Sequence, residues 1–181
     1  MAKLQFITAR LKRDAKAAEA DARASHEARA RLLGAEHPDA VSSLEATAEA
    51  VYRQAGRAKE AEALFKQAHE LRQKLAAARG GGGTAAEEEE AEDPQAAISA
   101  AGLGDCLRLR GQWEEAEAAY NDAIGLRRRH LGDYHPDAAN VLAGLADNVK
   151  GEGRFSQAEP LYRQVRSNLM GWGGAGCGAV G

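Results

Sequence analysis

The sequence is poor in aromatic residues, proline and cysteine, and each shortage narrows the class of protein. Aromatic residues fill 5% of the 181 positions while alanine fills 41, so large apolar side chains are too few for one deep core. Helix formers such as Ala, Leu, Glu, Arg and Gln abound, whereas proline occurs four times and β-branched residues are scattered. We therefore expect an all-α protein that stacks thin layers.

Cysteine and charge exclude further classes. Cys106 and Cys177 have no close spacing to each other or to a histidine, so neither a disulfide framework nor a zinc site is indicated, and a reducing cytoplasm is expected. The formal net charge of −3 provides no attraction to nucleic acid or to an anionic membrane. No apolar run reaches the length of a membrane span. The N-terminal segment MAKLQFITARLKR is basic and free of acids, so it reads either as an organelle transit peptide or as an exposed amphipathic helix.

Motifs for catalysis are also missing. The run of four glycines at 80–83 lacks the Lys-Ser/Thr that completes a phosphate-binding loop. The sequence has no metal-ligand spacing, no nucleophile elbow and no paired catalytic His and Cys. We expect a protein that is not an enzyme and that has no catalytic, cofactor or metal site.

What the chain does contain is an internal repeat. The segment that starts at residue 94 aligns with 136–173 without a gap at an offset of 42, and an earlier copy covers 38–75 with one extra residue near the turn at 53–56. Each copy predicts two helices joined at a glycine, with an alanine and an aromatic residue four positions apart on one face of the second helix. The turn glycines are Gly56, Gly111 and Gly153; the small residues are Ala61, Ala116 and Ala158; the aromatic residues are Phe65, Tyr120 and Tyr162. Trp113 and Phe155, two residues after the turn glycine, are predicted to pack across it.

The tripeptide His-Pro-Asp occurs twice, starting at His37 and at His135. Proline suits the first helical position and aspartate suits the first turn, so both copies predict a helix start. The tripeptide is also the signature of J-domain co-chaperones, but here it recurs in register with the repeat and lacks the preceding basic helix. We interpret His37 and His135 as capping or loop-packing residues, with a ligand or acid/base role as the alternative.

These patterns resemble the long form of tetratricopeptide repeats found in kinesin light chains. The matching features are L-G-x-x-H-P-D, L-x-x-L-A, G-[RQ]-[FW]-x-x-A-E-x-x-Y and basic helix ends such as GLRRRHLG. The resemblance covers about residues 15–170. It implies a right-handed superhelix of stacked antiparallel helix pairs, a solenoid of about three and a half repeats, whose first helices line a concave groove that holds an extended peptide.

The repeat pattern divides the chain as follows. A partial N-terminal repeat occupies 1–34, with a short first helix in 1–12 and a second helix in 14–33. Repeat 1 is 35–78, a Gly/Glu-rich disordered insertion is 79–93, repeat 2 is 94–132, repeat 3 is 133–169, and a disordered Gly-rich tail is 170–181.

The groove residues differ from those of the resembled family. Kinesin light chains carry L-N-N-L-A in the first helix, whereas the equivalents here are LEATA, AAGLG and LAGLA, and the carboxylate clamp of other repeat proteins is missing too. In their place the first helices carry acids followed by basic residues. The candidate peptide-groove residues are Glu49, Arg53, Asp105, Arg108, Asn140, Asp147 and Lys150. Pairs within one helix are one reading; a mixed-charge groove that prefers basic side chains is the other.

The expected function is a non-enzymatic, cytoplasmic adaptor that binds a partner protein or extended peptide in its groove. The resemblance suggests a kinesin heavy chain-type motor complex as one partner. The alternatives are a structural repeat that associates with itself, and an accessory repeat fragment of a larger signalling or enzymatic protein.

Overall fold

The computed structural model describes residues 2–54, 56–79, 93–132 and 135–175. Over those residues every regular element is an α-helix, which confirms the all-α class. The seven helices are α1 Ala2–Leu33, α2 Pro38–Tyr52, α3 Ala58–Arg79, α4 Ala96–Leu109, α5 Trp113–Leu131, α6 Pro136–Gly151 and α7 Phe155–Ala175. They fall into two compact units, Met1–Ala91 and Glu92–Gly181, and each unit is described by itself.

Unit 1 contains α1, α2 and α3, with α2 packed against both of the others. Its apolar core is thin. Val41 and Leu44 of α2 are buried against Ala68 of α3, and Leu64 and Leu71 cover the edge of this cluster. Ala61, the small residue that the repeat pattern predicts in this hairpin, is also fully buried.

Polar contacts fasten α1 to the turn between α2 and α3. The carboxylate of Glu19 accepts hydrogen bonds from Arg57 Nη1 at 2.5 Å, from Gln54 Nε2 at 2.6 Å and from Arg23 Nε at 2.9 Å. Arg57 also pairs with Glu60 at 2.6 Å. The hydrogen bonds from Arg57 and then Gln54 lower the pKa of Glu19 to about 2, so this carboxylate stays charged in the folded protein through the neutral and mildly acidic range.

Unit 2 contains two helical hairpins, α4–α5 and α6–α7, which stack through α5 on α6. The first helices of the two hairpins, α4 and α6, also touch. The larger buried cluster of this unit consists of Leu107, Ala116, Tyr120, Ile124, Leu142, Leu145, Val149 and Ala158. Apolar residues from all four helices therefore meet in one layer.

The turn glycines adopt the backbone conformation that the sequence requires of them. Gly56, Gly111 and Gly153 have φ of 87°, 74° and 93°, a region that side chains with a Cβ avoid. After α4 the N–H of Gln112 donates to the carbonyl of Leu107 at 3.0 Å, which closes the helix end in the six-to-one pattern of a glycine cap.

The first turn is longer than the others. α2 ends at Tyr52, four positions before Gly56, whereas α4 ends at Leu109, two positions before Gly111. The extra residue of the first copy therefore lies in the turn, as predicted.

Both His-Pro-Asp sequences begin helices. His37 and His135 are the N-caps of α2 and α6, with extended backbone and a side-chain Nδ1 that accepts a hydrogen bond at 3.2 Å. The donors are the backbone N–H groups of Asp39 and Asp137. The capping interpretation is confirmed, because the imidazole satisfies a helix N–H that has no carbonyl partner within the helix.

Two boundary predictions were wrong. The N-terminal segment is one continuous helix, Ala2–Leu33, in place of two helices at 1–12 and 14–33. Nothing in that stretch ends a helix, since it contains no glycine and no proline. At the other end α7 continues to Ala175, beyond residue 169 where the helix was predicted to stop; its glycines lower helix propensity but leave the backbone hydrogen bonds possible.

The predicted disordered insertion lies largely outside the described residues. At its margins Arg79 ends α3, and the buried Asp93 accepts a hydrogen bond from the N–H of Gln95 at 3.0 Å before α4 begins. Residues 176–181 of the predicted tail also lie outside the described part of the chain.

Candidate peptide-binding face

Six of the seven predicted groove residues lie on the first helices of the three hairpins, and Arg53 directly follows the first of these helices. Glu49 and Arg53 belong to unit 1, at the end of α2 and just after it. The other five belong to unit 2 and lie on two helices that touch: Asp105 and Arg108 on α4, and Asn140, Asp147 and Lys150 on α6. The five residues of unit 2 therefore lie on two helices that are in contact with each other.

In unit 1, Glu49 and Arg53 form an ion pair at 3.0 Å between Oε1 and Nε. Their side chains are 48% and 72% exposed, so the pair contributes at most a few tenths of a kcal/mol. Pairing of neighbouring charges was one of the two interpretations that the sequence offered for these residues.

In the hairpin α4–α5, Asp105 is bound by a tyrosine of the second helix. The hydroxyl of Tyr120 donates to Asp105 Oδ1 at 2.6 Å, and Arg108 Nε donates to the Tyr120 oxygen at 3.3 Å. Arg108 Nη2 also lies 3.6 Å from Asp105 Oδ1. Burial, followed by the charge of Asp105, raises the pKa of Tyr120 far above its usual range, so the phenol remains a donor.

The hairpin α6–α7 repeats this contact in the next copy of the repeat. The hydroxyl of Tyr162 donates to Asp147 Oδ1. Burial and the hydrogen bond to Asp147 raise the pKa of Tyr162 to about 12, while the positive charge of Arg108 acts in the opposite direction. Arg108 therefore lies within electrostatic reach of both tyrosines, which belong to successive repeats of unit 2.

Sequence reasoning missed these tyrosine–aspartate contacts. It treated Tyr120 and Tyr162 as core aromatic residues and treated Asp105 and Asp147 as groove acids. The available signal was the common spacing of 15 positions between aspartate and tyrosine in both copies. Phe65 occupies the tyrosine position in unit 1, so the contact has no counterpart there.

Three polar residues of α6 remain available on its surface. Asn140, Asp147 and Lys150 are exposed, and they follow one another at intervals of seven and three positions, which places them along one side of the helix. Within the described residues, the side chains of Asn140 and Lys150 make no hydrogen bond or ion pair. Asp147 retains its Oδ2 atom as an acceptor.

A chain of helical hairpins with one recurring pattern belongs to the class of helical repeat proteins. The tetratricopeptide repeat family matches at residues 95–169 and again at 50–76, together more than half of the chain. The protein is therefore a member of the tetratricopeptide repeat family, and it is kinesin light chain-like in the spacing of its repeats.

A solved structure shows the same fold. The crystal structure of BtubC (BKLC) from P. vanneervenii superimposes with a TM-score of 0.62 at 20% identity, over 86% of this chain and 57% of that one. The nearly identical TPR-like repeats of a kinesin light chain-type protein from Podosopora anserina align with a TM-score of 0.39 at 22% identity, over 87% of this chain and 88% of that one. The chain thus spans little more than half the length of BtubC. No curated protein matches the sequence significantly.

Tetratricopeptide repeats are in general protein-interaction or scaffold modules, and the family is typically non-catalytic. Among the described helices, none combines the length and apolar character that crossing a membrane requires.

Proposed function

We propose that the exposed side of α6, together with Arg108 of α4, binds an extended segment of a partner protein, so that the chain acts as a non-enzymatic adaptor. The observation that carries this proposal is the line of exposed polar residues Asn140, Asp147 and Lys150. Asn140 and Lys150 make no hydrogen bond within the described residues, and Asp147, which accepts one from Tyr162, can accept a second.

The spacing suits an extended chain. Seven residues of helix cover about 10 Å, which an extended peptide covers with about three residues. The amide of Asn140 can both donate to and accept from a peptide backbone, and Asp147 can accept from a second donor. The two residues would therefore hold backbone or side-chain groups of one short segment.

The charges favour a ligand with a basic side chain beside Asp147. Asp105 is already engaged by Tyr120 and Arg108, so its charge is largely satisfied within the protein. Asp147 lacks an ion pair in the described residues, and its partner Tyr162 is neutral. A lysine or arginine of the ligand would form an ion pair with Asp147, and a carboxylate of the ligand would form one with Lys150.

The test is fluorescence anisotropy with two labelled extended peptides titrated with the full chain. One peptide carries Lys next to its central residue, and the other carries Glu at the same position. We expect the lysine peptide to bind, and Asn140→Ala or Asp147→Asn to weaken it at least tenfold, because asparagine still accepts from Tyr162 but has no charge. Glu114→Gln changes an exposed acid of α5 and is the matched control. Equal binding by Asp147→Asn and by the unmodified chain would contradict the proposal.

The likeness to kinesin light chains makes a kinesin heavy chain-type motor complex in the cytoplasm one candidate partner. Co-sedimentation of the full chain with such a heavy chain tests this finer assignment. The anisotropy experiment does not depend on its outcome.

A further inference from the structure

The same repeat position carries an acid in each of the first helices α2, α4 and α6: Glu49, Asp105 and Asp147. Two of these acids are paired with an arginine a few positions later. Glu49 Oε1 lies 3.0 Å from Nε of Arg53, and Asp105 Oδ1 lies 3.6 Å from Nη2 of Arg108. Asp147 makes no ion pair within the described part of the chain. The three copies therefore differ in whether the chain itself provides a cation for the acid.

The difference between α4 and α6 lies in the residue three positions after the aspartate. This residue is Arg108 in α4 and Lys150 in α6, so the charge at the aligned position is the same. Arg108 uses two separate nitrogens, since Nε donates to the Tyr120 oxygen at 3.3 Å while Nη2 lies near Asp105. A lysine has one nitrogen at the end of a flexible stem, so it lacks the planar group that reaches both oxygens at once.

Lys150 lies away from Asp147. It lines a pocket of about 490 Å³ together with Phe155 and Tyr162 of α7, and across residues 135–175 its ammonium makes no ion pair. Phe155 is 66% exposed beside this pocket, so the prediction that it packs across its turn was wrong. Asp147 accepts a hydrogen bond from the hydroxyl of Tyr162, which is neutral, so the negative charge of Asp147 is left for a cation from a ligand.

Arg108 also changes what a ligand meets beside α4. The side chains of Arg108 and Asp105 are 26% and 37% exposed, so both groups reach the surface as a pair of opposite charges. A basic side chain placed there would meet the guanidinium as well as the carboxylate, and the repulsion offsets most of the attraction. A neutral or acidic side chain would meet no such penalty.

The two aspartates of unit 2 are close enough for one segment to pass both. Because α4 and α6 touch, their axes are about 8–10 Å apart. Two or three residues of an extended segment cover that distance at about 3.3 Å per residue. A segment that places one side chain beside Asp147 and crosses towards α4 therefore places a residue two or three positions away beside Asp105 and Arg108.

We infer that Arg108 determines the charge specificity of the proposed binding face. Arg108 pairs with Asp105, so the bound segment carries one basic side chain, beside Asp147, and a neutral or acidic residue where it crosses α4. An exchange of arginine and lysine at this repeat position changes which aspartate is available without changing the net charge. The inference rests on the proposed function and adds the residue that selects between the two aspartates.

The test uses fluorescence anisotropy with the single-lysine peptide described above and with versions that carry a second lysine two or three positions before or after the first. We expect every double-lysine peptide to bind the unmodified chain within about twofold of the single-lysine peptide. With Arg108→Lys, at least one double-lysine peptide should bind about fivefold more tightly than the single-lysine peptide, because Asp105 becomes available. Adding Asp105→Asn should remove this gain.

Lys150→Arg is the converse change. It should weaken the single-lysine peptide about fivefold, because an arginine there can contact Tyr162 and Asp147 as Arg108 contacts Tyr120 and Asp105. Arg163→Lys is the matched control, since Arg163 is an exposed arginine of α7 that pairs with Glu159 of its own helix. It should leave the ratio of the two peptide affinities unchanged.

Carboxylate labelling with a carbodiimide and glycinamide, read by mass spectrometry, tests the same point without a ligand. Asp147 should react about threefold faster than Asp105 in the unmodified chain, and Arg108→Lys should bring the two rates together. If no peptide binds while this labelling pattern is found, the proposed function is contradicted and the pairing of Arg108 with Asp105 is not. Equal labelling of the two aspartates in the unmodified chain, or the same ratio of peptide affinities in Arg108→Lys as in the unmodified chain, would overturn the inference.

Discussion

The hairpins α2–α3 and α4–α5 share one apolar framework but join their helices by different polar contacts. In α2–α3, Arg72 donates to both oxygens of Glu45, at 3.1 and 2.8 Å, and these side chains are 2% and 5% exposed. In α4–α5 the position of Glu45 is held by Ala101, and the contact between helices is instead the bond from Tyr120 to Asp105. The alanine and aromatic positions define the hairpin; the polar contact is free to vary around them.

The arginine at the same repeat position also has a different partner in the two hairpins. Arg127 of α5 corresponds to Arg72, but it has no carboxylate at the position of Glu45 to pair with. Its Nη1 lies 3.8 Å from Asp137 Oδ2 in the first turn of α6. At this repeat position, Arg72 joins the two helices of one hairpin in unit 1, whereas Arg127 contacts the following hairpin in unit 2.

The largest expected effect comes from breaking the buried pair. Arg72→Ala leaves the charge of Glu45 buried without its partner and should lower the free energy of unfolding of unit 1 by about 3–5 kcal/mol. Both tryptophans lie in residues 92–181, so urea denaturation followed by far-UV circular dichroism should show the loss while tryptophan fluorescence changes little. The double change Glu45→Leu with Arg72→Leu should recover most of the stability. A loss below about 1 kcal/mol for Arg72→Ala would contradict the importance of the pair.

A smaller loss of stability is expected when Tyr120 is replaced by phenylalanine, the residue that α3 carries at this position. Tyr120→Phe removes the donor to Asp105 and should cost about 1–2 kcal/mol, because a hydrogen bond to a charged acceptor is lost while Arg108 still pairs with Asp105. Tryptophan fluorescence during urea denaturation measures it. Tyr162→Phe is the comparison and should cost less, because the hydrogen bond from Tyr162 to Asp147 is exposed to water. Equal losses for the two variants would mean that burial does not distinguish the two contacts.

The smallest effect concerns the attachment of α1. The pKa of Glu19 is lowered to about 2 from an ordinary value near 4.5, so its stabilising contribution is complete above about pH 4.5 and is lost as the pH falls towards 2. Far-UV circular dichroism of the full chain, titrated with acid, should therefore show a loss of helical signal in that pH range. Glu19→Gln should flatten this part of the profile, since glutamine does not titrate; an unchanged profile would show that other carboxylates cause it.

Much of the fold was predictable because its determinants are local. The turn glycines, the histidine caps and the alanine–aromatic pairs each act within a few residues, and a repeat presents them several times. The two boundary errors have different causes: the break in α1 came from extending the repeat pattern into a segment where it is weak, and the early end of α7 came from treating its glycines as the end of the helix. In α1 the absence of glycine and proline was the better guide.

The candidate binding face was only partly predictable. Its residues lie on the first helices or, for Arg53, directly after one, but the sequence does not show which of them are available to a ligand. Asp105 and Asp147 look alike in sequence, yet Asp105 is held by Tyr120 and Arg108 whereas Asp147 retains a free oxygen.

The sequence by itself determined the helices, their pairing into hairpins and the family, because helix propensity, turn geometry and repeat spacing are properties of short segments. The tertiary structure alone decided which polar groups satisfy one another, since Glu45 meets Arg72 across 27 positions and Asp105 meets Tyr120 across 15. It also decided that Trp113 and Tyr120 of α5 lie against glycines of α6, whereas Phe155 of α7 is exposed within the part of the chain that the structure describes. Such contacts depend on where two helices lie in space. A side chain is available to a ligand only where that packing leaves it exposed.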